Sequence, residues 1–284
     1  VTLFEKNAKI GGLLRYGIPD FKMEKHLIDR RHVQMEQEGV IIRTNIDVGV
    51  DISKEQLDKD FDAIILSGGA ETPRDLPVTG RDHKGVHFAM DFLTQQNRRV
   101  SGEKLGDILE ISAKNKHVVV IGGGDTGSDC VGTSFRQGAT TVTQLEIMSK
   151  PPEKENKSLT WPDWPMKLRT STSHDEGAER GFGLTTKKIN GTNEGVNSLQ
   201  TVHVDWKQGP NGNMEVVEVE NSKENLKADL ILLAMGFVHP SHQGILKDLS
   251  VKLDNRGNVS ANTEDYKTSV NKVFSAGDMR RGQS

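Results

Sequence analysis

The chain has 284 residues, of which 37 are basic and 40 acidic, and its formal net charge of −3 excludes a strong positive field for nucleic acid or an anionic membrane. The single cysteine, Cys130, excludes internal disulfides, four-cysteine zinc sites and cysteine-ligated iron–sulfur clusters built by these residues alone. The longest apolar run, at 230–238, is about half the ~20 residues that cross a bilayer. The single cysteine predicts a cytoplasmic protein, and the charge and the short apolar run predict that it has no nucleic-acid or membrane partner.

The first 70 residues predict part of an α/β fold. The run V-T-L-F-E indicates a strand, Gly11 and Gly12 a turn, and residues 23–38 a helix that ends at Gly39. A strand of buried type follows at 61–67. Because the sequence opens inside a strand and stops shortly after another one, we expect it to be a piece of a longer protein.

The middle of the chain predicts a βαβ unit. Residues 117–121 indicate a continuous apolar strand, 128–137 a helix, and 141–146 a second strand. Residues 149–183 are polar, contain proline and tryptophan, and predict an irregular segment. Alternating polar and apolar residues between 184 and 219 predict antiparallel strands joined by glycine-containing turns.

A glycine motif lies between the two strands of the βαβ unit. Gly122, Gly124 and Gly127 form G-x-G-x-x-G, in which the first glycine allows a tight turn, the second admits a pyrophosphate, and the third lets helix pack on strand. Glu146 ends the next strand, where a carboxylate binds a ribose 2′-OH; a glycine turn used only for packing is the alternative. The predicted dinucleotide-binding residues are Gly122, Gly124, Asp125, Thr126, Gly127, Glu146 and Lys150.

Two of these residues favour different nicotinamide cofactors. The Glu146 carboxylate would repel a 2′-phosphate and therefore favours NADH. Lys150, four residues later, would pair with that phosphate and favours NADPH. We expect NADPH, with the Glu146 side chain turned outward, and NADH is the alternative.

A second nucleotide site is predicted from residues near both ends of the chain. Glu5 ends the first strand, where it fits the ribose-binding acid of a unit whose glycine loop would precede residue 1; an ordinary surface glutamate is the alternative. Residues 11–13, 233–236 and 275–278 resemble the second flavin loop, the domain crossing and the Gly-Asp pair of flavoproteins with two dinucleotide folds. The predicted FAD-binding residues are Glu5, Gly11, Gly12, Leu13, Gly277 and Asp278.

Five runs of sequence together resemble one family, the small (beta) subunit of glutamate synthase or the matching region of its single-chain forms. They are G-G-L-L-R-Y-G-I-P-D-F-K, I-G-G-G-D-T-G-S-D-C-V-G-T-S, W-P-D-W-P, L-L-A-M-G-F and F-S-A-G-D-M-R-R-G-Q-S. The resemblance implies an α/β fold with two Rossmann-like dinucleotide-binding domains. Residues 1–83 and 237–284 would form an incomplete FAD domain, and residues 84–236 an inserted NAD(P)H domain.

The resemblance also implies a function and partners. Hydride would pass from NADPH or NADH to FAD, and electrons would continue through iron–sulfur clusters of a preceding domain outside these residues. The acceptor would be the large (alpha) subunit, which makes glutamate from glutamine and 2-oxoglutarate. A related flavin reductase with a ferredoxin- or pyrimidine-linked acceptor, and a non-catalytic nucleotide-binding module, stay open as alternatives.

Several other residues have competing interpretations. Trp161 and Trp164 are predicted to act as a hydrophobic clasp, that is, to pack the long polar segment against the sheet. An interface with the large subunit is the alternative. His83 and His87 have the spacing of metal ligands, although ordinary loop residues are the favoured interpretation. Residues 11–21 are predicted to line the flavin. The Arg280–Arg281 pair directly follows the Gly-Asp turn and is predicted to lie near the flavin or its phosphates, with solvated charges as the alternative.

Overall fold

The computed structural model describes residues 1–163 and 166–283, and the chain divides into two compact units. The terminal unit comprises residues 1–15, 21–74 and 236 onward, and the central unit comprises residues 16–20 and 75–235. The domain boundaries expected from the sequence, after residues 83 and 236, stay a prediction.

Helices and strands alternate along much of the described part of the chain. The elements up to residue 100 are β1 Thr2–Glu5, α1 Gly12–Tyr16, α2 His26–Gln37, β2 Ile41–Thr44, α3 Lys54–Asp60, β3 Ile64–Leu66, β4 Thr72–Pro73, β5 Val86–Phe88 and α4 Ala89–Val100. They continue with β6 His117–Ile121, α5 Asp125–Arg136, β7 Thr141–Glu146, α6 Lys157–Thr160, α7 Thr172–Asp175, β8 Glu179–Phe182 and β9 Leu184–Thr192. The last are β10 Gly195–Gln208, β11 Met214–Glu218, β12 Glu224–Lys227, β13 Leu230–Leu233, β14 Phe237–His239, α8 Ile245–Leu249, β15 Val273–Ser275 and α9 Asp278–Arg281.

The central unit is built on a parallel sheet of five strands in the order β5-β13-β6-β7-β8. Alternate residues of β6 and β13 enter two cores, because successive side chains of a strand point to opposite faces. Val118 and Leu230 pack with Phe92 of α4 and Val131 of α5. The residues of the opposite core are Val119, Leu145, Ile189, Leu199 and Ile231.

Antiparallel strands cover that second face. The long strand β10 pairs with β9 and β12 along its first half and with β11 along its second half. Ile189 of β9 and Leu199 of β10 have no exposed surface and lie in the same core as Ile231 of β13. This confirms the antiparallel strands predicted between residues 184 and 219.

The terminal unit has smaller sheets. Strands β1 and β2 form one parallel pair, β3 and β15 a second, and β4 and β14 an antiparallel pair. Leu66 and Val273 from the second pair pack against Leu246 and Leu249 of α8 and against Val259. This core therefore joins strands that lie far apart in the sequence.

Three details differ from the sequence-based expectations. Helix α5 begins at Asp125 instead of residue 128, because Gly124 is extended and serves as its N-cap. The segment 149–183, predicted to be irregular, contains α6, α7 and β8. Trp161 is 78% exposed, so the predicted clasp is wrong for this residue; Trp164 lies outside the described residues.

Within residues 1–163 and 166–283, no helix has the length and apolar character needed to cross a membrane. In the same residues, no group of three or more histidine, cysteine, aspartate or glutamate side chains is placed to hold a metal ion.

Candidate functional site

The glycine loop of the central unit joins β6 to α5. Gly122 has φ of +128°, and a Cβ there would lie 2.1 Å from the Ala234 carbonyl oxygen that follows β13. A Cβ on Gly127 would lie 2.2 Å from the Gly122 carbonyl oxygen. Both glycines are therefore required by the packing of the chain itself, since no other residue fits these distances.

Gly124 differs from these two glycines. Its φ is −78°, which any residue adopts, and a Cβ there would meet nothing within 4 Å. The open space lies at the N-terminus of α5, a helix of 12 residues whose N-cap has no side-chain hydrogen bond. Uncapped N–H groups and the helix dipole attract an anion, so this space fits the pyrophosphate of a dinucleotide.

Glu146 lies over the same loop. A Cβ on Gly123 would lie 2.2 Å from Oε2 of Glu146, so the carboxylate contacts Gly123, the residue between the first two glycines of the motif. The expectation that Glu146 turns outward is therefore wrong. Gly123 permits this contact because it has no side chain to displace the carboxylate.

The environment of Glu146 is unusual for a carboxylate. Burial raises its pKa, and the positive charge of Arg180 partly opposes that shift. Among the described residues, nothing donates a hydrogen bond to it. A partly buried carboxylate without donors is costly, and the hydroxyls of a ribose would supply them.

The other predicted residues of this site lie around the loop. Asp125 is exposed and Thr126 partly buried in the first turn of α5. Lys150 is exposed in the segment that follows β7. Their part in nucleotide binding stays a prediction.

A hydrogen-bonded network of polar side chains stabilises the glycine loop through the Gly122 carbonyl oxygen. Gln144 of β7 donates from Nε2 to the Gly122 carbonyl oxygen at 2.7 Å, and its Oε1 lies 2.7 Å from Nε2 of His174. The Ser171 backbone N–H donates to Nδ1 of His174 at 3.0 Å. Because Nδ1 accepts, Nε2 carries the proton and donates to Gln144. Ser128 of α5 joins through a 2.6 Å contact between its Oγ and that of Ser171.

The sequence alone does not reveal this network. Gln144 and His174 are 2% and 9% exposed, and they connect β7 to α7, which are 30 residues apart in sequence at this contact. The one available signal was the amide of Gln144 inside a strand that packs as core. A buried amide needs partners, but the sequence does not identify His174 as one of them.

The predicted flavin residues all lie in the terminal unit. Oε1 of Glu5 accepts hydrogen bonds from the backbone N–H and the side-chain amide of Asn7, at 2.8 and 2.7 Å. Gly11 and Gly12 precede or begin α1 rather than forming only a turn, and Leu13 is 49% exposed. Glu5 thus already has local donors, unlike Glu146.

The second half of the predicted flavin site is at the chain's other end. Gly277 has φ of +66° with open space around it, and Asp278 begins α9. Next to them is an open cavity of about 480 Å³, lined by Arg256, Arg280, Arg281 and Gln283. Gly277 leaves open space beside its backbone, and arginine side chains line the cavity next to it. This combination fits a phosphate-bearing cofactor.

Comparison with protein families assigns most of the chain. The sequence model described as "Pyridine nucleotide-disulphide oxidoreductase" matches residues 8–161 and 185–284. The fold of FprA from Mycobacterium tuberculosis, solved in complex with NADPH, matches with a TM-score of 0.76 at 14% identity, over 100% of this chain and 72% of that one. These matches confirm the predicted fold class.

Two curated relatives give a more specific similarity. The chain is 51% identical to "Glutamate synthase [NADPH] small chain" of Mycobacterium tuberculosis, over 100% of this chain and 58% of that protein. It is 41% identical to "Glutamate synthase [NADH]" of Schizosaccharomyces pombe, over 100% of this chain and 14% of that protein. These identities confirm the predicted resemblance to the glutamate synthase small subunit. The chain spans less than two thirds of the length of either relative.

Proposed function

The chain belongs to the pyridine nucleotide-disulphide oxidoreductase family, whose members bind FAD and NAD(P)H, and we propose that it carries the NADPH-to-FAD step of a glutamate synthase small chain. The observation that carries the proposal is the paired geometry of Gly124 and Glu146. Gly124 leaves open space at the N-terminus of α5. The Glu146 carboxylate lies over the same loop, and among the described residues nothing donates a hydrogen bond to it.

The residues of the central unit have separate roles in this proposal. Backbone N–H groups at the start of α5 bind the pyrophosphate that approaches Gly124. Glu146 accepts hydrogen bonds from the adenosine ribose. Gln144 keeps the Gly122 carbonyl turned away from the phosphates, through the hydrogen bond that it donates to that oxygen.

The terminal unit would bind the flavin. Gly277 lets a cofactor approach the backbone, and the N–H groups that follow it, with Arg280 and Arg281, suit negatively charged groups. When bound, FAD accepts a hydride from the nicotinamide, a reaction that needs position and exclusion of water more than an acid or base from the protein.

The partner and the donor follow from the similarity. We propose that electrons pass from the flavin through iron–sulfur clusters, carried outside these residues, to a glutamate synthase large subunit or domain in the cytoplasm. The 51% identical bacterial relative is named for NADPH and the 41% identical fungal one for NADH. NADPH is therefore the proposed donor.

Flavin reduction in the full holoenzyme tests the proposal. Under anaerobic conditions NADPH should bleach the flavin absorbance, and Gly124→Val should raise the NADPH concentration needed for half-maximal rate about tenfold or more, because the valine fills the space for pyrophosphate. His203→Ala, at an exposed position on β10, is the control and should leave the rate unchanged. A flavin that neither NADPH nor NADH reduces would contradict the proposed function.

A further inference from the structure

We propose that Arg180 binds the 2′-phosphate of NADPH and sets the preference for NADPH over NADH. The inference rests on the proposed function and specifies which residue of that site recognises the phosphate. The sequence predicts Lys150 for this task, a residue that is exposed and follows β7. Arg180 lies instead on β8, the edge strand of the same sheet.

Strand register places Arg180 on the face that carries Glu146. In the parallel pair of β7 and β8, Gln144 is opposite Arg180 and Glu146 is opposite Phe182. Directly paired residues, and residues two apart on one strand, share a face of the sheet. Glu146 and Arg180 therefore belong to the same face, and Glu146 marks where the ribose lies.

The guanidinium of Arg180 is held near the carboxyl end of its strand. The guanidinium carbon of Arg180, Cζ, lies 4.9 Å from the ring centroid of Phe182, two residues further along the strand. One N–H donates to the Arg169 backbone carbonyl oxygen at 2.9 Å. Among the described residues, its other donors have no hydrogen-bond partner. A planar cation fixed by stacking and one hydrogen bond, with free donors, is suited to a phosphate.

Charge explains why the site needs Arg180. A 2′-phosphate would bring between one and two negative charges beside the Glu146 carboxylate, which favours NADH when it acts alone. The positive charge of Arg180 opposes the effect of burial, which raises the pKa of Glu146. The guanidinium can thus balance the phosphate while Glu146 keeps the ribose 3′-OH, and Lys150 is not required.

Calorimetry with adenosine 2′,5′-bisphosphate and 5′-AMP on the holoenzyme tests this role without hydride transfer. Arg180→Ala should weaken binding of the bisphosphate by about tenfold to a hundredfold, as expected for hydrogen bonds to a charged group, and should change 5′-AMP binding by less than about twofold. Arg180→Lys keeps the charge but loses the planar fork, so it should give an intermediate loss. Glu146→Gln should tighten bisphosphate binding.

Two controls separate this role from general effects. Arg98→Ala removes a positive charge from α4, which contacts the opposite edge strand β5, and should leave both affinities unchanged. Lys150→Ala tests the residue that the sequence predicts for this phosphate, and it should weaken bisphosphate binding less than Arg180→Ala does. Equal loss of both ligands in Arg180→Ala, no loss of either, or a larger loss of the bisphosphate in Lys150→Ala than in Arg180→Ala would overturn the inference.

The outcome also distinguishes this inference from the proposed function. If NADPH and NADH reduce the flavin equally well in the parent and in Arg180→Ala, the hydride transfer stands and the role of Arg180 is wrong. If neither adenine nucleotide binds and neither donor reduces the flavin, both proposals are wrong.

Discussion

The two units differ in how completely their parallel strands are paired. In the central unit β13 lies between β5 and β6, and all four of its residues are buried. In the described part of the terminal unit, parallel strands pair only two by two, and Ile41 and Ile65 are 55% and 68% exposed in the strands. A Cβ on Gly122 would meet the backbone of Ala234, whereas a Cβ on Gly277 would meet nothing within 4 Å. The backbone of the central unit thus determines the conformation of its own glycine loop, whereas Gly277 of the terminal unit has open space where a side chain would be.

Cofactor retention by the 284-residue chain is expected to differ most between the units. The sequence contains one G-x-G-x-x-G, at 122–127, and it lies in the central unit. The chain should bind adenosine 2′,5′-bisphosphate in calorimetry but show no stoichiometric flavin absorbance after desalting. A yellow chain with one flavin per molecule would remove the distinction between the units.

Substitutions within one glycine loop separate the needs of the fold from those of the ligand. Gly122→Ala should lower the free energy of unfolding by about 2 kcal/mol or more, because φ is positive and the Cβ meets a carbonyl oxygen. Gly124→Ala should change that free energy by less than about 1 kcal/mol while weakening nucleotide binding severalfold. Thermal unfolding and calorimetry measure the two effects. Equal stability of both variants would contradict this division.

Removal of the buried histidine should have a smaller effect. His174→Ala leaves Oε1 of Gln144 without its donor and the Ser171 backbone N–H without its acceptor. The expected loss is about 1–3 kcal/mol in the free energy of unfolding, with weaker nucleotide binding because Gln144 positions the loop. His203→Ala, on the exposed side of β10, is the matched control. Identical denaturant midpoints for the two variants would show that the network does not hold the loop.

The pH dependence of stability should give the smallest effect. Burial raises the pKa of Glu146 in the folded state, so the folded protein takes up this proton more readily than the unfolded one. The corresponding stability is present at low pH and is lost as pH rises through the raised pKa. Glu146→Gln should therefore have the higher melting temperature near pH 7, and the difference should shrink as pH falls towards the usual glutamate range. A difference that grows on acidification would contradict the assignment.

The sequence was most informative where one segment determines its own structure. The apolar strand at 117–121, the glycines that follow it and the acidic end of β7 all act within about 30 residues, and the structure has this βαβ unit. The three glycine roles differ, however. Only a structure shows that Gly122 and Gly127 meet backbone and that Gly124 does not.

The features that sequence analysis missed depend on contacts between distant segments. Strand β8 consists of E-R-G-F, which has no apolar periodicity, and its pairing with β7 places Arg180 on the face of Glu146. The orientation of Glu146 depends on Gly123, whose missing side chain gives no pattern of its own. A glutamate at the end of a strand therefore predicts a site but not the direction of its carboxylate.

The position of β13 in the sequence has a consequence for synthesis. This strand pairs with both β5 and β6, yet it begins at Leu230, about 110 residues after β6 ends. At a translation rate of ~5–20 residues per second, the ribosome needs about 5–20 s to make that interval. Throughout it, β5 has no strand partner and one edge of β6 leaves its backbone N–H and C=O groups unpaired, because β13 is the strand that joins them. Unpaired apolar edges promote association with other chains, so the nascent protein passes through an aggregation-prone stage that ends when residues 230–233 emerge.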